Sequence, residues 1–248
     1  MKAIILAAGY ATRLYPLTKD RPKPLLPVAG KPIIEYIMSE IEKIDTIDTV
    51  YVVTNHKFAA HFEEWAKTYV CPKALKIIDD GTTDENNRLG AIGDISFVIN
   101  QEKIDEELLI IAGDNLFTFS LAEYFDFYRE KHGDCVCAKK VADTEALKQL
   151  AVAVTDTDGK ILELIEKPKT PPSDLGVYAA YIYTKDTVRM FADYLAEGNL
   201  PDAPGYFVQW LYKRKSVFVY VMNGECYDVG THKLYDEVNE IFRAQKLN

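Results

Sequence analysis

The sequence predicts an α/β fold in which a mostly parallel central sheet carries helices on both faces. In the first half of the chain, short apolar runs of strand length alternate with segments of helical periodicity, which is the pattern of a parallel sheet covered by helices. In the second half, the predicted strands are shorter and alternate more in polarity. At 248 residues the chain has the size of one large α/β domain, and 48% hydrophobic residues can form a sizeable core.

The first half begins with an apolar strand at residues 2–7. Pro32 then opens a helix, because proline is tolerated in a first helical turn, and five isoleucines between residues 33 and 44 fall on one face of that helix. Further strands are predicted at 49–54, 75–79 and 108–112, with helices at 56–69 and 89–99.

The second half contains a hairpin signal at Asp158-Gly159, a dipeptide that favours a tight turn between two strands. Strands are predicted at 135–141, 151–155, 161–165, 177–184 and 217–221. Helices are predicted at about 186–196 and 207–213, and a last helix from His232 to the C-terminus.

The composition excludes several classes of partner. The formal net charge is -9 and the sequence pI is about 5.1, so most of the surface would repel a nucleic acid. No apolar run approaches the length needed to cross a bilayer, and the N-terminal residues lead straight into a cationic loop rather than to a cleavage site. We therefore expect a cytoplasmic protein without a nucleic-acid or membrane partner.

That loop, residues 6–32, is where the positive charge of this acidic chain is concentrated. It carries five cationic side chains and a single acidic one, and Gly9 at its start leaves a turn where phosphates can approach backbone N–H groups. Two commoner phosphate loops do not fit. A Walker loop would need glycine in place of Leu25 and Ser or Thr in place of Pro32, and a dinucleotide fingerprint would need three glycines where only Gly9 is present.

A different pattern does fit: the loop reads LAAGYATRLYPLT followed by PKPLLPVAGKP. It resembles the signature of the sugar-1-phosphate nucleotidyltransferases, and glucose-1-phosphate thymidylyltransferases look most similar. This resemblance implies a Rossmann-like, mixed sheet and one domain over residues 1–248, with a nucleotide-binding half at about 1–115 and a sugar-binding half at about 116–248. The chain departs from the family at Ala11, where a second glycine is usual.

Two carboxylates are candidates for a metal site. Asp114 follows the apolar strand at 108–112, and Asp228 also follows a strand, with Gly230 allowing close backbone approach. From the triplet Gly113-Asp114-Asn115 alone, a turn residue that caps the next helix is the preferred interpretation of Asp114. Magnesium is usually held by one or two carboxylates together with phosphates and water, and the resemblance implies that Asp114 and Asp228 hold Mg²⁺.

The resemblance also assigns nucleotide contacts. It places the base over Leu6, Ala7 and Ala8 and the phosphates at the loop, where the phosphate contacts are Gly9, Thr12, Arg13 and Lys23. Opposite the base lies the segment 80–93, where Asn87 has an amide and Gly90 an open backbone that could read a base edge.

On the sugar side, Glu166-Lys167-Pro168 looks like the family's Glu-Lys-Pro element. The resemblance implies that Glu166 binds sugar hydroxyls and that Lys167 meets the sugar phosphate. Tyr178 and Ala179 occupy the family's sugar-facing strand, with alanine where many members have glycine. Without the other motifs, Glu-Lys-Pro would be an ordinary hairpin end.

The predicted activity is nucleotidyl transfer from a pyrimidine nucleoside triphosphate, dTTP or UTP, to a sugar 1-phosphate such as glucose 1-phosphate. Arg13, Lys23, Asp114 and Lys167 are the expected catalytic residues. Two alternatives stay open: a cytidylyltransferase that uses CTP and a small phosphorylated alcohol or phosphonate, and a non-catalytic sensor that binds a nucleotide sugar. The sequence does not decide between a monomer and a homo-oligomer.

Overall fold

The structure is a computed structural model that describes the backbone of residues 1–246 and the side chains of residues 1–244. Its strands are β1 Lys2–Leu6, β2 Pro27–Val28, β3 Lys31–Pro32, β4 Thr49–Thr54, β5 Ala74–Asp79, β6 Leu108–Ala112, β7 Asn115–Phe117, β8 Asp134–Lys140, β9 Ala151–Thr155, β10 Ile161–Glu166, β11 Leu175–Tyr183, β12 Val217–Val221 and β13 Cys226–Asp228. Its α-helices are α1 Ile33–Ile41, α2 His56–Thr68, α3 Ala91–Glu102, α4 Leu121–Lys131, α5 Thr144–Leu147, α6 Lys185–Ala196, α7 Pro204–Leu211 and α8 His232–Lys246.

Nine strands form the central sheet. Its order is β10-β9-β11-β6-β1-β4-β5, and β8 pairs with both β11 and β12 beside this path. Strands β5, β4, β1 and β6 run parallel to one another, whereas β11 runs antiparallel to β6. Strands from the two halves of the chain therefore meet in one sheet at the β6–β11 pair. This mixed sheet confirms the predicted fold class.

The apolar runs of the central strands are continuous because both faces of the sheet are covered. In β1, successive side chains point to opposite faces. Ile4 packs in a cluster with residues of α3, α6 and α7, and Ile5 packs in a second cluster with residues of α1, α2 and α4. Within residues 1–246, no helix combines the length and apolar character that a membrane crossing requires.

The C-terminal part of the chain packs on the loop between β1 and α1. Val238 and Phe242 of α8 share a third cluster with Leu14 and Leu26 of that loop. Just before α8, β13 pairs antiparallel with β7, and Asp228 lies opposite Asn115 in that register. This small two-stranded sheet ties the C-terminal segment to the carboxyl end of β6.

The main omission of the sequence prediction is α4. Its N-terminus is capped by Ser120, whose hydroxyl oxygen accepts the Glu123 N–H at 3.3 Å, and Leu121, Tyr124 and Tyr128 are buried on one face. A capping serine followed by apolar residues spaced three and four apart is a helix signal, so the sequence did contain this element. The strands β7 and β13 have three residues each and are too short to show periodicity.

Candidate functional site

The carboxyl end of β1 opens into a cavity of about 240 Å³. A Cβ placed on Gly9 would find no atom within 4 Å, so the backbone is open to the cavity there. Most of the predicted nucleotide-binding residues line this cavity, together with Asp114; they are Leu6, Ala7, Gly9, Thr12, Arg13 and Lys23.

The loop turns sharply at Ala11. Its φ of 48° and ψ of 42° lie in the left-handed region, which costs an L-residue with a side chain roughly 1–2 kcal/mol. The carbonyl oxygen of Ala11 accepts hydrogen bonds from the Thr18 hydroxyl at 2.7 Å and the Leu14 N–H at 3.0 Å. These two hydrogen bonds thus stabilise Ala11 in a left-handed turn that glycine would adopt without strain.

Lys23 joins the two candidate metal ligands. Its Nζ lies 2.8 Å from Asp114 Oδ2 and 2.8 Å from Asp228 Oδ1. The Lys23 side chain is only 7% exposed, whereas those of Asp114 and Asp228 are 37% and 59% exposed. Burial by itself would lower the pKa of Lys23, but the two carboxylates raise that pKa above its ordinary value, so the lysine stays charged.

Three separate parts of the chain supply this cluster. Asp114 follows β6 through Gly113, where a Cβ would come within 2.9 Å of the Leu6 carbonyl oxygen, so this close approach requires glycine. The β7–β13 pairing then brings Asp228 beside Asp114. Asp114 is followed by a strand, so the alternative interpretation as a helix cap is wrong.

The donor set of the cluster suits magnesium. Hydrogen bonds within the described residues engage only Oδ2 of Asp114 and Oδ1 of Asp228, and each carboxylate keeps a second oxygen for a cation. Among residues 1–246, no three His, Cys, Asp or Glu side chains group together as a metal cage. A cation held here would therefore need further oxygen ligands from phosphates and water, which is how Mg²⁺ is usually bound.

Arg13 is exposed beside the same cluster. A Cβ on Gly230 would lie 3.8 Å from Arg13 Nη2 and 3.9 Å from Asp228 Oδ1, which places the guanidinium next to the 228–230 turn. In the described part of the chain, no carboxylate forms an ion pair with Arg13. An anion in the cavity would therefore meet a guanidinium that no carboxylate of the described residues engages directly.

The predicted base contacts are only partly brought together. Ala8 and Gly90 line a second cavity of about 190 Å³, which shares Leu6 and Gly9 with the first. Asn87 lines neither cavity. Its Oδ1 accepts the N–H groups of Thr83 and Asp84, both at 3.1 Å, and its Nδ2 donates to the Thr83 hydroxyl at 3.2 Å. The Asn87 amide closes its own loop, so the prediction that it reads a base is not supported.

On the sugar side, Glu166 is held deep against α7. Its side chain is 6% exposed, and a Cβ on Gly205 would lie 1.8 Å from Glu166 Oε2, so residue 205 must be glycine for this carboxyl to fit. Burial raises the pKa of Glu166. Lys167, with a left-handed φ of 47°, is 51% exposed, and its Nζ lies 4.0 Å from Glu166 Oε1.

The strand register relates the sugar-side residues to Asp114. Ala180 of β11 pairs with Ile111 of β6, so Ala179 and Tyr178 lie beside the end of β6 that Asp114 follows. Ala151 of β9 pairs with Glu166 on one side and Val177 on the other. Glu166, Tyr178 and Ala179 thus lie at the end of the sheet where β6 leads to Asp114, although none of the three lines either cavity.

Several charged residues that line the cavities were given no individual role by the sequence analysis. Glu85 and Arg88 line the first cavity, and Asp80 and Asp94 line the second. Asp94 lies in the first turn of α3, where an acidic residue is favoured by the helix dipole alone. The helix dipole was therefore a sufficient explanation for an acidic residue at position 94. Nothing in its position along the chain indicated that Asp94 is buried in the wall of a cavity.

The comparison with protein families decides the assignment. The sequence pattern described as "Nucleotidyl transferase" matches residues 2–245, which is nearly the whole chain. The chain belongs to the nucleotidyl transferase family. The matched range includes Arg13, Lys23, Asp114 and Asp228, and it confirms the resemblance drawn from residues 6–32.

Individual members of the nucleotidyl transferase family give the same picture. The bifunctional protein GlmU of Methanocaldococcus jannaschii is 32% identical over 234 residues, which cover 93% of this chain but 51% of that protein. This chain thus spans about half the length of that relative. UTP–glucose-1-phosphate uridylyltransferase 2 of Staphylococcus saprophyticus is 27% identical in an alignment that covers 100% of this chain and 98% of the relative.

Among solved structures, one assigned as a glucose-1-phosphate thymidylyltransferase of Bacillus anthracis superimposes with a TM-score of 0.80 and 25% identity. The superposition covers 98% of this chain and 95% of that one. The mixed sheet and its flanking helices are therefore those of the nucleotidyl transferase fold.

Proposed function

We propose that the protein transfers a nucleotidyl group from a pyrimidine nucleoside triphosphate, dTTP or UTP, to a sugar 1-phosphate resembling glucose 1-phosphate. A phosphate oxygen of the acceptor would attack the α-phosphorus, and pyrophosphate would leave. The observation that carries this proposal is the Lys23–Asp114–Asp228 cluster beside the open cavity at the end of β1. The names of the uridylyltransferase and thymidylyltransferase relatives support the substrate class.

The need for fixed positive charge follows from the reaction itself. Two like unit charges about 4 Å apart repel each other by roughly 4 kcal/mol at an effective dielectric constant of about 20. In this proposal Arg13 binds the β- and γ-phosphates, Lys23 neutralises charge at the transferred phosphate, and Lys167 approaches from the sugar side. Positioning and electrostatic stabilisation then account for the rate.

Asp114 and Asp228 would hold Mg²⁺, which supplies charge neutralisation and alignment of phosphate oxygens when bound. No side-chain base is needed, because a phosphate monoester with a second pKa of about 6 is already largely dianionic at neutral pH. The buried Glu166 is accordingly assigned to sugar hydroxyls, with Tyr178 and Ala179 forming the wall beside it.

The test is pyrophosphate release measured over a matrix of dTTP, UTP, CTP, ATP and GTP with sugar 1-phosphates, phosphorylated alcohols and phosphonates. Highest turnover with dTTP or UTP and a sugar 1-phosphate supports the proposal. Highest turnover with CTP and a phosphorylated alcohol would establish the cytidylyltransferase alternative. Binding of a nucleotide sugar without pyrophosphate release from any pair would establish the sensor. Asp114→Asn should abolish the Mg²⁺-dependent turnover.

A further inference from the structure

A third cationic side chain lines the cavity at the end of β1. Besides Arg13 and Lys23, its wall contains Arg88, which belongs to the segment between β5 and α3. Arg88 also lines the second cavity, and among the described residues the two cavities share only Leu6, Gly9 and Arg88. A ligand that fills both cavities therefore passes Arg88, which is the charged residue of these three.

Two carboxylates hold Arg88 at this place. Its Nη2 lies 3.2 Å from Asp202 Oδ1, and its Nη1 lies 3.7 Å from Glu85 Oε1. The side chains of Arg88, Asp202 and Glu85 are 49%, 57% and 55% exposed. Ion pairs with this exposure contribute little stability, because water screens both charges. The guanidinium can therefore exchange these partners for another anion at a small cost in free energy.

The backbone is anchored on both sides of Arg88, so the exchange requires only a rotation of the side chain. On one side, Asn87 Oδ1 accepts two backbone N–H groups of its own loop, both at 3.1 Å. On the other side, Gly90 packs so closely that a Cβ there would lie 2.6 Å from the Pro201 carbonyl oxygen. A long side chain on an anchored turn can move between two partners without disturbing the fold.

The other charges of the first cavity show why a further cation is needed. Lys23 is already paired with both Asp114 and Asp228, so one cation faces two carboxylates. Arg13 is then the one cation of this wall that no carboxylate engages within the described residues, whereas a nucleoside triphosphate brings several negative charges. The planar fork of a guanidinium matches two phosphate oxygens at once, so a phosphate is a stronger partner for Arg88 than an exposed carboxylate.

We propose that Arg88 is a further phosphate-binding residue, which leaves Glu85 and Asp202 to bind the α-phosphate of the nucleoside triphosphate; this inference rests on the proposed function. The α-phosphate joins the nucleoside to the other two phosphates. In a triphosphate that spans both cavities it lies at their boundary, which is where Arg88 is placed. Glu85 and Asp202 then act as internal competitors of the substrate, because each of them engages the guanidinium that the phosphate needs.

The test measures binding by calorimetry with Mg²⁺ and no acceptor. The ligands are the preferred triphosphate, UTP or dTTP, and its monophosphate, which is measured in competition with the triphosphate. For Arg88→Gln we expect both dissociation constants to rise by at least about tenfold, because a charge-assisted, bidentate contact is lost. Arg88→Lys keeps the charge but not the fork, so it should show a smaller loss, and it is the second variant if Arg88→Gln does not fold. Arg13→Ala should weaken the triphosphate more than the monophosphate, which lacks the β- and γ-phosphates.

Glu85→Gln and Asp202→Asn distinguish phosphate binding from a structural role of Arg88. Each removes one carboxylate from the guanidinium and leaves the guanidinium in place. If Arg88 binds phosphate, each variant should keep the triphosphate affinity of the wild type or increase it by up to about fivefold, because a competitor is removed. If Arg88 only tied its loop to the segment around Asp202, both variants would weaken binding as Arg88→Gln does.

Arg189→Gln is the matched control, because Arg189 of α6 also forms an exposed ion pair, with Asp105 at 2.8 Å, but lines neither cavity. Both of its dissociation constants should stay within about twofold of the wild type. Dissociation constants of folded Arg88→Gln within threefold of the wild type overturn the inference, as does an equal loss in Glu85→Gln and Asp202→Asn.

Two further outcomes separate this inference from the proposed function. A loss in Arg88→Gln that is seen with the triphosphate but not with the monophosphate overturns the assignment to the α-phosphate. If the triphosphate binds but no acceptor gives pyrophosphate release, the proposed function fails, and calorimetry still decides the role of Arg88. If the wild type binds neither UTP nor dTTP, both are refuted.

Discussion

Replacing Lys23 by methionine would remove the cation between Asp114 and Asp228 and keep most of the side-chain volume. Each ion pair spans 2.8 Å, which corresponds to roughly 6 kcal/mol of attraction at an effective dielectric constant of about 20. Desolvation of the buried ammonium offsets several kcal/mol of that attraction. Because the two carboxylates are 37% and 59% exposed, water screens them as well. We expect a net loss of about 2–3 kcal/mol in the free energy of unfolding.

Thermal unfolding in metal-free buffer measures this loss. For a chain of this length, 1 kcal/mol corresponds to a shift of about 2–4 °C in Tm, so the Tm of Lys23→Met should fall by roughly 4–12 °C. Lys31→Met is the matched control, because Lys31 belongs to the same loop but donates to the Ser39 hydroxyl at 2.7 Å. Its Tm should stay within about 2 °C of the wild type.

Thermal unfolding with added Mg²⁺ and no nucleotide then distinguishes two causes of the lost stability, charge repulsion between the carboxylates and a packing defect. In Lys23→Met the two carboxylates lack their cation, and Mg²⁺ at ten times its dissociation constant should recover about 1.4 kcal/mol. In the wild type Lys23 already pairs with both carboxylates and compensates one of their two negative charges, so Mg²⁺ alone should raise Tm much less. The reasoning is refuted if the variant and the wild type melt together in metal-free buffer, or if Mg²⁺ raises both Tm values equally.

Three further substitutions test other parts of the site. Ala11→Gly should raise the free energy of unfolding in urea by about 0.5–1 kcal/mol, because glycine adopts the left-handed turn without strain; a decrease would contradict this. Arg13→Ala should lower kcat as well as raise KM, and a change in KM alone would reduce Arg13 to a docking role. Burial and Asp80 raise the folded-state pKa of Asp94 to about 8. The folded chain therefore keeps a proton that the unfolded chain releases above about pH 4. As a result, the free energy of unfolding of the wild type falls as the pH rises from about 4 to about 8. Asp94→Asn lacks this loss, so its free energy of unfolding relative to the wild type, measured by thermal unfolding, should increase by roughly 2–4 kcal/mol from about pH 5 to about pH 8. The same difference at both pH values would contradict the raised pKa of Asp94.

The parallel half of the sheet could be predicted because its signal is local. Buried strands such as β1, β4 and β6 must be apolar on both faces, and such runs stand out between helical segments. The helix α4 had an equally local signal in Ser120 and its buried aromatic residues. The pairing of β7 with β13 had none, because it joins residues more than a hundred positions apart.

The individual site residues were predictable by type, but their partners were not. A cationic loop indicates a phosphate-binding site. Nothing in the loop, however, predicts that Lys23 forms ion pairs with carboxylates 91 and 205 residues further along the chain. For Asn87, by contrast, the partners in the structure are local. Its short side chain finds partners three and four residues away, and such local bonds compete with any ligand.

Asp94 shows where reasoning from the sequence ends and tertiary structure begins. Its place in the first turn of α3 explains an acidic residue but not a buried one. The burial comes from a different segment: a Cβ on Gly90 would lie 2.6 Å from the Pro201 carbonyl oxygen, and the N–H groups of Ala91 and Ile92 donate to Asp202 and Pro201. The segment around residue 201 therefore packs directly on the start of α3. Because Asp202 of that segment lines the same cavity as Asp94, the burial that raises the pKa of this carboxyl depends in part on a contact between residues over a hundred positions apart.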